Sequence, residues 1–145
     1  MSVLSRKTVR QAVGALLSAA LTGTGKPCQV VYDHEVGDWG TQDPIAYVTG
    51  RSSLRHDDND PLKGLQSFGM DVHVWVRYVK DGVTEADSEN TLDDIEGLIA
   101  DTALTDTSSG GFLAHDGESI VDALEIGGVE YRHEVIPLRV TVMER

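Results

Sequence analysis

Carboxylate and imidazole side chains cluster most densely between His56 and Asp60, where the sequence reads His-Asp-Asp-Asn-Asp. Oxygen-rich runs bind hard cations such as Ca²⁺ when their ligands stand at fixed offsets, with a glycine at the sixth position and a distal glutamate. Only Asp58 and Asp60 match the start of that spacing, and Pro61 follows them directly. We therefore interpret the segment as a solvated loop, with ion binding or subunit contact as the alternatives.

The five histidines are scattered, and no two have the four-residue separation of a helical zinc pair. Asp71, His73 and Arg77 fall on one side of an alternating segment and could resemble an acid/base set. Polar residues at alternate positions are also typical of a sheet surface or a subunit interface. We favour that second interpretation, and no metal site is predicted.

The sequence contains no motif that indicates a chemical reaction. Its single cysteine, Cys28, cannot form an internal disulfide and is predicted to be a buried, inert thiol. There is no Gly-x-Ser-x-Gly elbow, and Gly23-Thr-Gly25-Lys26 follows a helix and lacks the spacing of a phosphate-binding loop. We predict no catalytic residue, no cofactor and no enzymatic activity.

The length and the net charge of the chain limit the classes of protein to which it could belong. A chain of 145 residues fits a single domain spanning residues 1–145, and no apolar run approaches the roughly 18 residues of a membrane span. We expect a soluble protein without a signal peptide or membrane partner. The net charge of −12 argues against specific DNA binding, which needs clustered Lys and Arg, although it would discourage sticking along a DNA conduit.

Apolar and polar residues alternate strictly between Phe68 and Val79, which predicts a long, half-buried β-strand. Trp75 falls on the second face of this strand, among charged and imidazole side chains that a solvated sheet would not need. We interpret that face as a surface that meets another chain.

Hydrophobic periodicity predicts the other elements. In chain order these are a helix over 5–21, strands over 28–34 and 45–49, the long strand over 68–80, a helix over 85–104, and a hairpin of 119–126 and 129–143. Ser5 is the predicted N-cap of the first helix, and Asp87 or Ser88 that of the second. Trp39 is predicted to be a packing plug, while residues 50–66 and 105–117 are predicted to be loops. Pro137 suggests a bulge or an edge in the last strand.

The compact arrangement of these elements is an α+β fold, a largely antiparallel β-sheet with two helices packed on one face. The other face of the sheet would then be open. An uncovered face that carries Trp75 is a candidate contact surface.

This order of elements resembles the tail-terminator, or tail-completion, proteins of long-tailed bacteriophages, which include a minor-capsid family. The resemblance spans nearly the whole chain. It lies in the opening helix over 8–21, the strand entry Pro44-Ile-Ala-Tyr-Val48, the strand Phe68-Gly-Met-Asp-Val-His-Val-Trp-Val-Arg77, the helix over 87–104 and the closing strand over 131–144.

The resemblance implies a structural virion protein that forms a homohexameric ring. Such a ring caps the tail tube protein and joins it to the head-side connector or neck protein, after assembly in the host cytoplasm. Genomic DNA would pass through its lumen without sequence-specific binding. The residues predicted for subunit or tube contact are Arg51, Arg55, Asp57, Asp58 and Asp60 in the loop, and His73, Trp75 and Arg77 on the sheet.

Three alternatives stay open at this point. A head-closure or connector-adaptor ring protein would have a similar pattern, and a tail-tube subunit is a further structural possibility. From a different class, a small ligand-binding or enzymatic α+β domain would use Asp71, His73 and Arg77. A closed, apolar-walled pocket with those groups converging would favour this last alternative.

Overall fold

A computed structural model of the protein describes residues 5–55, 65–78, 85–102 and 111–143. Its elements are α1 (Arg6–Leu21), β1 (Val30–Tyr32), β2 (Ile45–Arg55), β3 (Leu65–Arg77), α2 (Glu85–Thr102), β4 (Gly111–His115), β5 (Ile120–Ile126) and β6 (Val129–Met143). The strands form one sheet in the order β1-β2-β3-β6-β4, and β5 also pairs with β6. Only the β1–β2 pair is parallel. The predicted α+β class and largely antiparallel sheet are confirmed.

Both helices pack on one face of the sheet, called the inner face below. Alternate residues of β3, from Phe68 to Val76, point to this face and are buried. The helices supply a matching apolar stripe, namely Val9, Val13, Leu17 and Leu21 from α1, and Leu92, Ile95 and Ile99 from α2. Burial of each large apolar side chain stabilises the fold by about 1.5–3 kcal/mol, which makes this layer the main core.

The helix caps agree with the sequence at one helix and not at the other. The hydroxyl of Ser5 accepts a hydrogen bond of 3.1 Å from the backbone N–H of Thr8, as a predicted N-cap should. In α2, Asp87 and Ser88 lie inside the first turn, so their prediction as caps is wrong. Acidic residues suit the first turn as well as the cap, and the pattern does not separate the two positions.

The predicted loop over 50–66 is wrong at both ends. β2 continues to Arg55 and β3 begins at Leu65, and the two strands stay paired beyond a bulge between Gly50 and Ser52. The extension can remain a strand although it is polar, because backbone hydrogen bonds to β3 hold it. Residues 56–64 lie outside the described part. β1 is also shorter than predicted, with only three residues.

The last strand, β6, is central to the sheet although it contains Pro137. Its register with β3 is continuous through Asp71↔Pro137, so the predicted bulge is absent from this pair. On its other side, pairing with β5 ends at Val135 and pairing with β4 begins at Leu138. Pro137 falls in that gap, where no strand requires its missing N–H, and its carbonyl accepts from Asp116. The prediction of an edge is therefore wrong for β6.

One further boundary departs from the sequence predictions. Residues 111–115 of the predicted loop over 105–117 form β4, which pairs with β6. The turn between β5 and β6 is as predicted, because Gly127 and Gly128 have φ values of 58° and 81° that suit a tight two-residue hairpin. The predicted strand end over 79–80 and helix end over 103–104 lie outside the described residues.

Candidate interaction surface

The outer face of the sheet, which is opposite the helices, is covered at one end. His73, Trp75 and Arg77 do lie on this face, as the alternation in β3 predicts. Trp75, however, is only 5% exposed. Trp39 packs on it with ring centroids 5.3 Å apart, and Tyr131 meets it edge-on at 5.9 Å. The prediction of an open face is therefore wrong at Trp75, and the prediction of Trp39 as a packing plug is confirmed.

Four rings stack in a line across strands β2, β3 and β6, and we call this line the ring row. Tyr47 stacks on His73 at 4.9 Å, and His73 stacks on His133 at 5.2 Å. His133 in turn stacks on Trp75 at 3.9 Å. The ring row ties three strands together on the outer face. A second, smaller apolar layer overlaps it on this face and contains Trp39, Ile45, Tyr47, Trp75 and Tyr131.

The two imidazoles of the ring row form a hydrogen bond. His73 Nδ1 lies 3.0 Å from His133 Nε2, and His73 Nε2 lies 3.3 Å from the hydroxyl of Thr49. Burial, followed by the nearby His73, lowers the pKa of His133 to about 4, and burial also lowers the pKa of His73. Both rings are accordingly neutral near pH 7, which suits packing between aromatic neighbours.

The segment over 33–43, which carries Trp39, is fixed to the sheet by polar contacts at its C-terminal end. The carboxylate of Asp43 accepts a 2.7 Å hydrogen bond from the backbone N–H of Arg77, and its own N–H donates to the Gln29 side chain at 2.9 Å. The hydroxyl of Tyr32 donates to Gln42. Arg77 thus positions the segment through its backbone, while its side chain is exposed.

A cluster of four charged residues occupies the other end of the outer face. Asp116 accepts hydrogen bonds from Arg51 at 2.9 Å and from Arg139 at 3.0 and 3.2 Å. Arg51 Nε also lies 3.7 Å from a carboxylate oxygen of Asp71. The hydrogen bonds from Arg139 and Arg51 lower the pKa of Asp116. Two guanidinium groups therefore enclose one carboxylate.

Local backbone geometry makes room for this cluster. The bulge between Gly50 and Ser52 turns Arg51 onto the outer face above Gly69. A Cβ at Gly69 would lie 2.5 Å from Ser52 Oγ and 2.7 Å from Arg51 Nη2, so the glycine is required for the approach of both side chains. Because the charged groups are about one-third exposed, each pair contributes at most about 1 kcal/mol. Arg51, a predicted contact residue, is thus held in an internal network.

The other residues predicted for contact in this part of the chain are Arg55, Asp57, Asp58 and Asp60. Arg55 is the last residue of β2, and Asp57, Asp58 and Asp60 lie outside the described residues. The interpretation of that acidic segment stays a prediction. Among the residues that the structure describes, no group of three or more His, Cys, Asp or Glu side chains could hold a metal ion.

The candidate acid/base set does not converge on one point. Asp71 faces Arg51, His73 is stacked between Tyr47 and His133, and the Arg77 side chain is exposed. A cavity of about 280 Å³ beside the β5–β6 hairpin is lined by other residues, among them Tyr78, Leu124, Tyr131 and Arg132. The arrangement therefore lends no support to an enzymatic use of these three residues.

The feature that the sequence did not indicate is the exposure of β5. All seven of its side chains are exposed. They include four large apolar ones, Ile120 at 61%, Val121 at 52%, Leu124 at 44% and Ile126 at 38%. Ile120, Leu124 and Ile126 lie on one face of the strand and Val121 lies on the other, yet neither face is covered. Within the described residues β5 pairs only with β6, so its outer edge is unpaired.

We call residues 118–130, which include β5 and the turn, the hairpin arm. Its apolar side chains, exposed faces and unpaired edge are the properties of an interaction surface. The ring row, by contrast, is held by stacking within the chain. The charge cluster is likewise held by hydrogen bonds within the chain.

No protein-family model matches this chain, and a search of curated proteins finds no match. In the part of the chain that the structure describes, neither helix has the length and apolar character needed to cross a membrane.

Proposed function

We propose that the protein is a structural subunit of a phage tail, which forms a ring, caps the tail tube and joins it to the head-side connector. The order of elements that resembles tail terminators supports this proposal, together with the α+β fold in which those elements are arranged. The observation that carries it is the exposed, apolar hairpin arm.

An exposed apolar edge strand is a liability for an isolated protein, because its free N–H and C=O groups and side chains invite aggregation. Natural monomers shorten, charge or cover such edges. Here β5 has seven residues, and although it carries two acidic side chains it keeps four large apolar ones in water. A closed ring would remove this liability, because each subunit would cover the arm of its neighbour through a heterologous contact.

The overall charge is compatible with a ring through which DNA passes. The chain has 24 acidic and 12 basic side chains, which give a net charge of −12. A wall of like charge would not retain the phosphate backbone. The paired charges of Arg51, Asp116 and Arg139 leave little free positive charge at that end of the outer face.

The test is to measure the mass of the purified protein by light scattering over a range of concentrations. The same sample is mixed with tail tubes, assembled from the tube subunit that the same genome encodes, and imaged by electron microscopy. We expect rings, or density that closes one end of the tubes. A protein that ignores tubes and binds the isolated connector would instead be a head-side adaptor. A monomer that binds neither would contradict the proposal.

A further inference from the structure

We propose that the hairpin arm of one subunit docks on the first turns of α1 in a second copy of the chain, head to tail. This inference rests on the proposed ring and names the two surfaces that would form its subunit interface. It is carried by charge complementarity, by the exposed apolar residues of β5, and by the position of the two surfaces at opposite sides of the sheet.

The hairpin arm combines apolar and acidic side chains and has no basic one. Between residues 118 and 130 the sequence contains no Lys, Arg or His. The acidic residues of the arm are Glu118, Asp122, Glu125 and Glu130, and all four are exposed. A complementary surface therefore needs positive charge next to an uncharged area that can take up Ile120 and Leu124.

Helix α1 offers these two properties. Its first turns carry Arg6, Lys7 and Arg10, and the helix contains no acidic residue. Arg6 and Lys7 are exposed, while Arg10 is partly buried and donates to the backbone carbonyl of Asp33. Beyond these turns the exposed side of α1 continues with Gln11, Ala15 and Ala19, which are small or uncharged. The helix thus presents a basic end next to a neutral stripe in a chain of net negative charge.

The two surfaces cannot meet within one chain. α1 packs on β1 and β2, whereas β5 pairs with the far side of β6, and β3 lies between. A molecule with its arm at one side and the receiving helix at the other repeats the same contact from copy to copy. Contacts of this kind generate closed rings when the rotation between neighbours permits.

A symmetric contact between two arms is the main competing arrangement. It would bring four acidic side chains against four, with no basic residue in either arm. Like charges facing each other across an interface oppose association. Contact with α1 replaces this repulsion by attraction, so the head-to-tail arrangement is favoured.

The experiment uses charge reversal and rescue. The arm variant is Asp122→Lys with Glu125→Lys, and the helix variant is Arg6→Glu with Lys7→Glu. A control variant, Asp94→Lys with Asp101→Lys, reverses two exposed acids of α2 and makes the same charge change as the arm variant. Assembly is followed by sedimentation velocity in solution and by electron microscopy at tube ends, and folding is verified by urea unfolding.

We expect each of these two variants to assemble poorly on its own. The protein concentration at the midpoint of association should rise by roughly tenfold or more. Mixed together, they should assemble again, because each reversed surface meets its reversed complement. The control should assemble like the parent chain. In addition, Leu124→Ser should weaken assembly, while Leu54→Ser, at a 52% exposed position of β2, should not.

Each other outcome overturns the inference. If the arm variant assembles like the parent, the arm is not an interface. If the helix variant assembles while the arm variant does not, the arm contacts a different surface, such as a second arm or the tube. Failure of the mixture to recover assembly also contradicts the pairing. A parent chain that assembles neither in solution nor on tubes refutes the proposed function as well, whereas assembly by all variants refutes only this inference.

Discussion

Glu134 is a carboxylate on the inner face of the sheet, where the chain otherwise buries apolar side chains. It is 3% exposed and lies opposite Val74 of β3. Burial raises its pKa to about 7, and the negative charges of Glu96 and Asp93 on α2 add to the effect. The substitution Glu134→Gln would keep the size of the side chain and remove its ability to ionise.

The sign of the effect follows from proton linkage. The pKa of Glu134 is raised from 4.5 to about 7 on folding, so the folded state holds this proton more tightly than the unfolded state. The stability that this tighter proton binding gives to the folded state is fully present below about pH 4.5, and it is lost as the pH rises to about 7. The difference of about 2.5 pKa units corresponds to a free energy on the order of 3 kcal/mol. At pH 8 we therefore expect Glu134→Gln to be more stable than the parent by up to about that amount.

The assay is urea unfolding of both proteins at several values between about pH 5 and pH 8, analysed by linear extrapolation. The gain in unfolding free energy should be largest at the alkaline end and should shrink towards the acidic end. Glu130→Gln, at an exposed position of the same strand, is the matched control and should show little change. A gain that is independent of pH, or a loss of stability at pH 8, would refute the reasoning.

Three further perturbations test the outer face. Because the pKa of His133 is lowered from 6.5 to about 4, stability should fall as the pH drops from about 6.5 to about 4, and NMR titration should find this ring still neutral at pH 5; a ring that titrates near 6.5 would contradict its burial. Trp39→Ala should cost about 3–5 kcal/mol of unfolding free energy, because it removes a ring that is only 7% exposed. It should also shift the fluorescence of Trp75 to longer wavelength, because the Trp39 ring packs on Trp75. An unshifted spectrum would mean that Trp75 stays covered. Gly69→Ala should cost about 1–3 kcal/mol, because the added Cβ would lie 2.5 Å from Ser52 Oγ and 2.7 Å from the Arg51 guanidinium. The cost should be about 1 kcal/mol lower in a background with both Arg51→Ala and Ser52→Ala, and additive costs in that mutant cycle would rule out the collision.

Local patterns in the sequence were enough to predict most elements. The three- and four-residue spacing in α1, the strict alternation in β3 and the Gly127-Gly128 turn each reflect backbone geometry that acts over a few residues. The inner core followed from the same patterns, because alternate residues of β3 and the stripes of α1 and α2 had only one compact way to meet.

What covers a face could not be predicted in this way. Alternation in β3 assigned Trp75 to the second face, but its burial depends on Trp39 and Tyr131, which are 36 and 56 residues away in sequence. The apolar residues of β5 likewise do not reveal that both faces of this strand are exposed. Periodicity reports the orientation of side chains relative to one another, whereas burial depends on the elements that pack over them.

The charge cluster escaped prediction for a related reason. Asp116 lies 65 residues from Arg51, and no local pattern links either of them to Arg139. The polar part of β2 is predicted to be a loop because its residues lack apolar alternation, although backbone pairing with β3 holds them as a strand. Contacts of this range are set by strand register, which a single sequence does not reveal.

The exposure of β5 also separates the evolutionary constraint that folding places on the chain from the constraint that binding places on it. Its backbone pairs with β6, but none of its seven side chains contributes to either apolar layer. Substitutions at such positions usually change stability by only about 0.5 kcal/mol or less. The arm can consequently diverge in sequence at little expense to folding, so that a lineage can acquire a new binding partner while the two-layer scaffold stays under its own, separate selection.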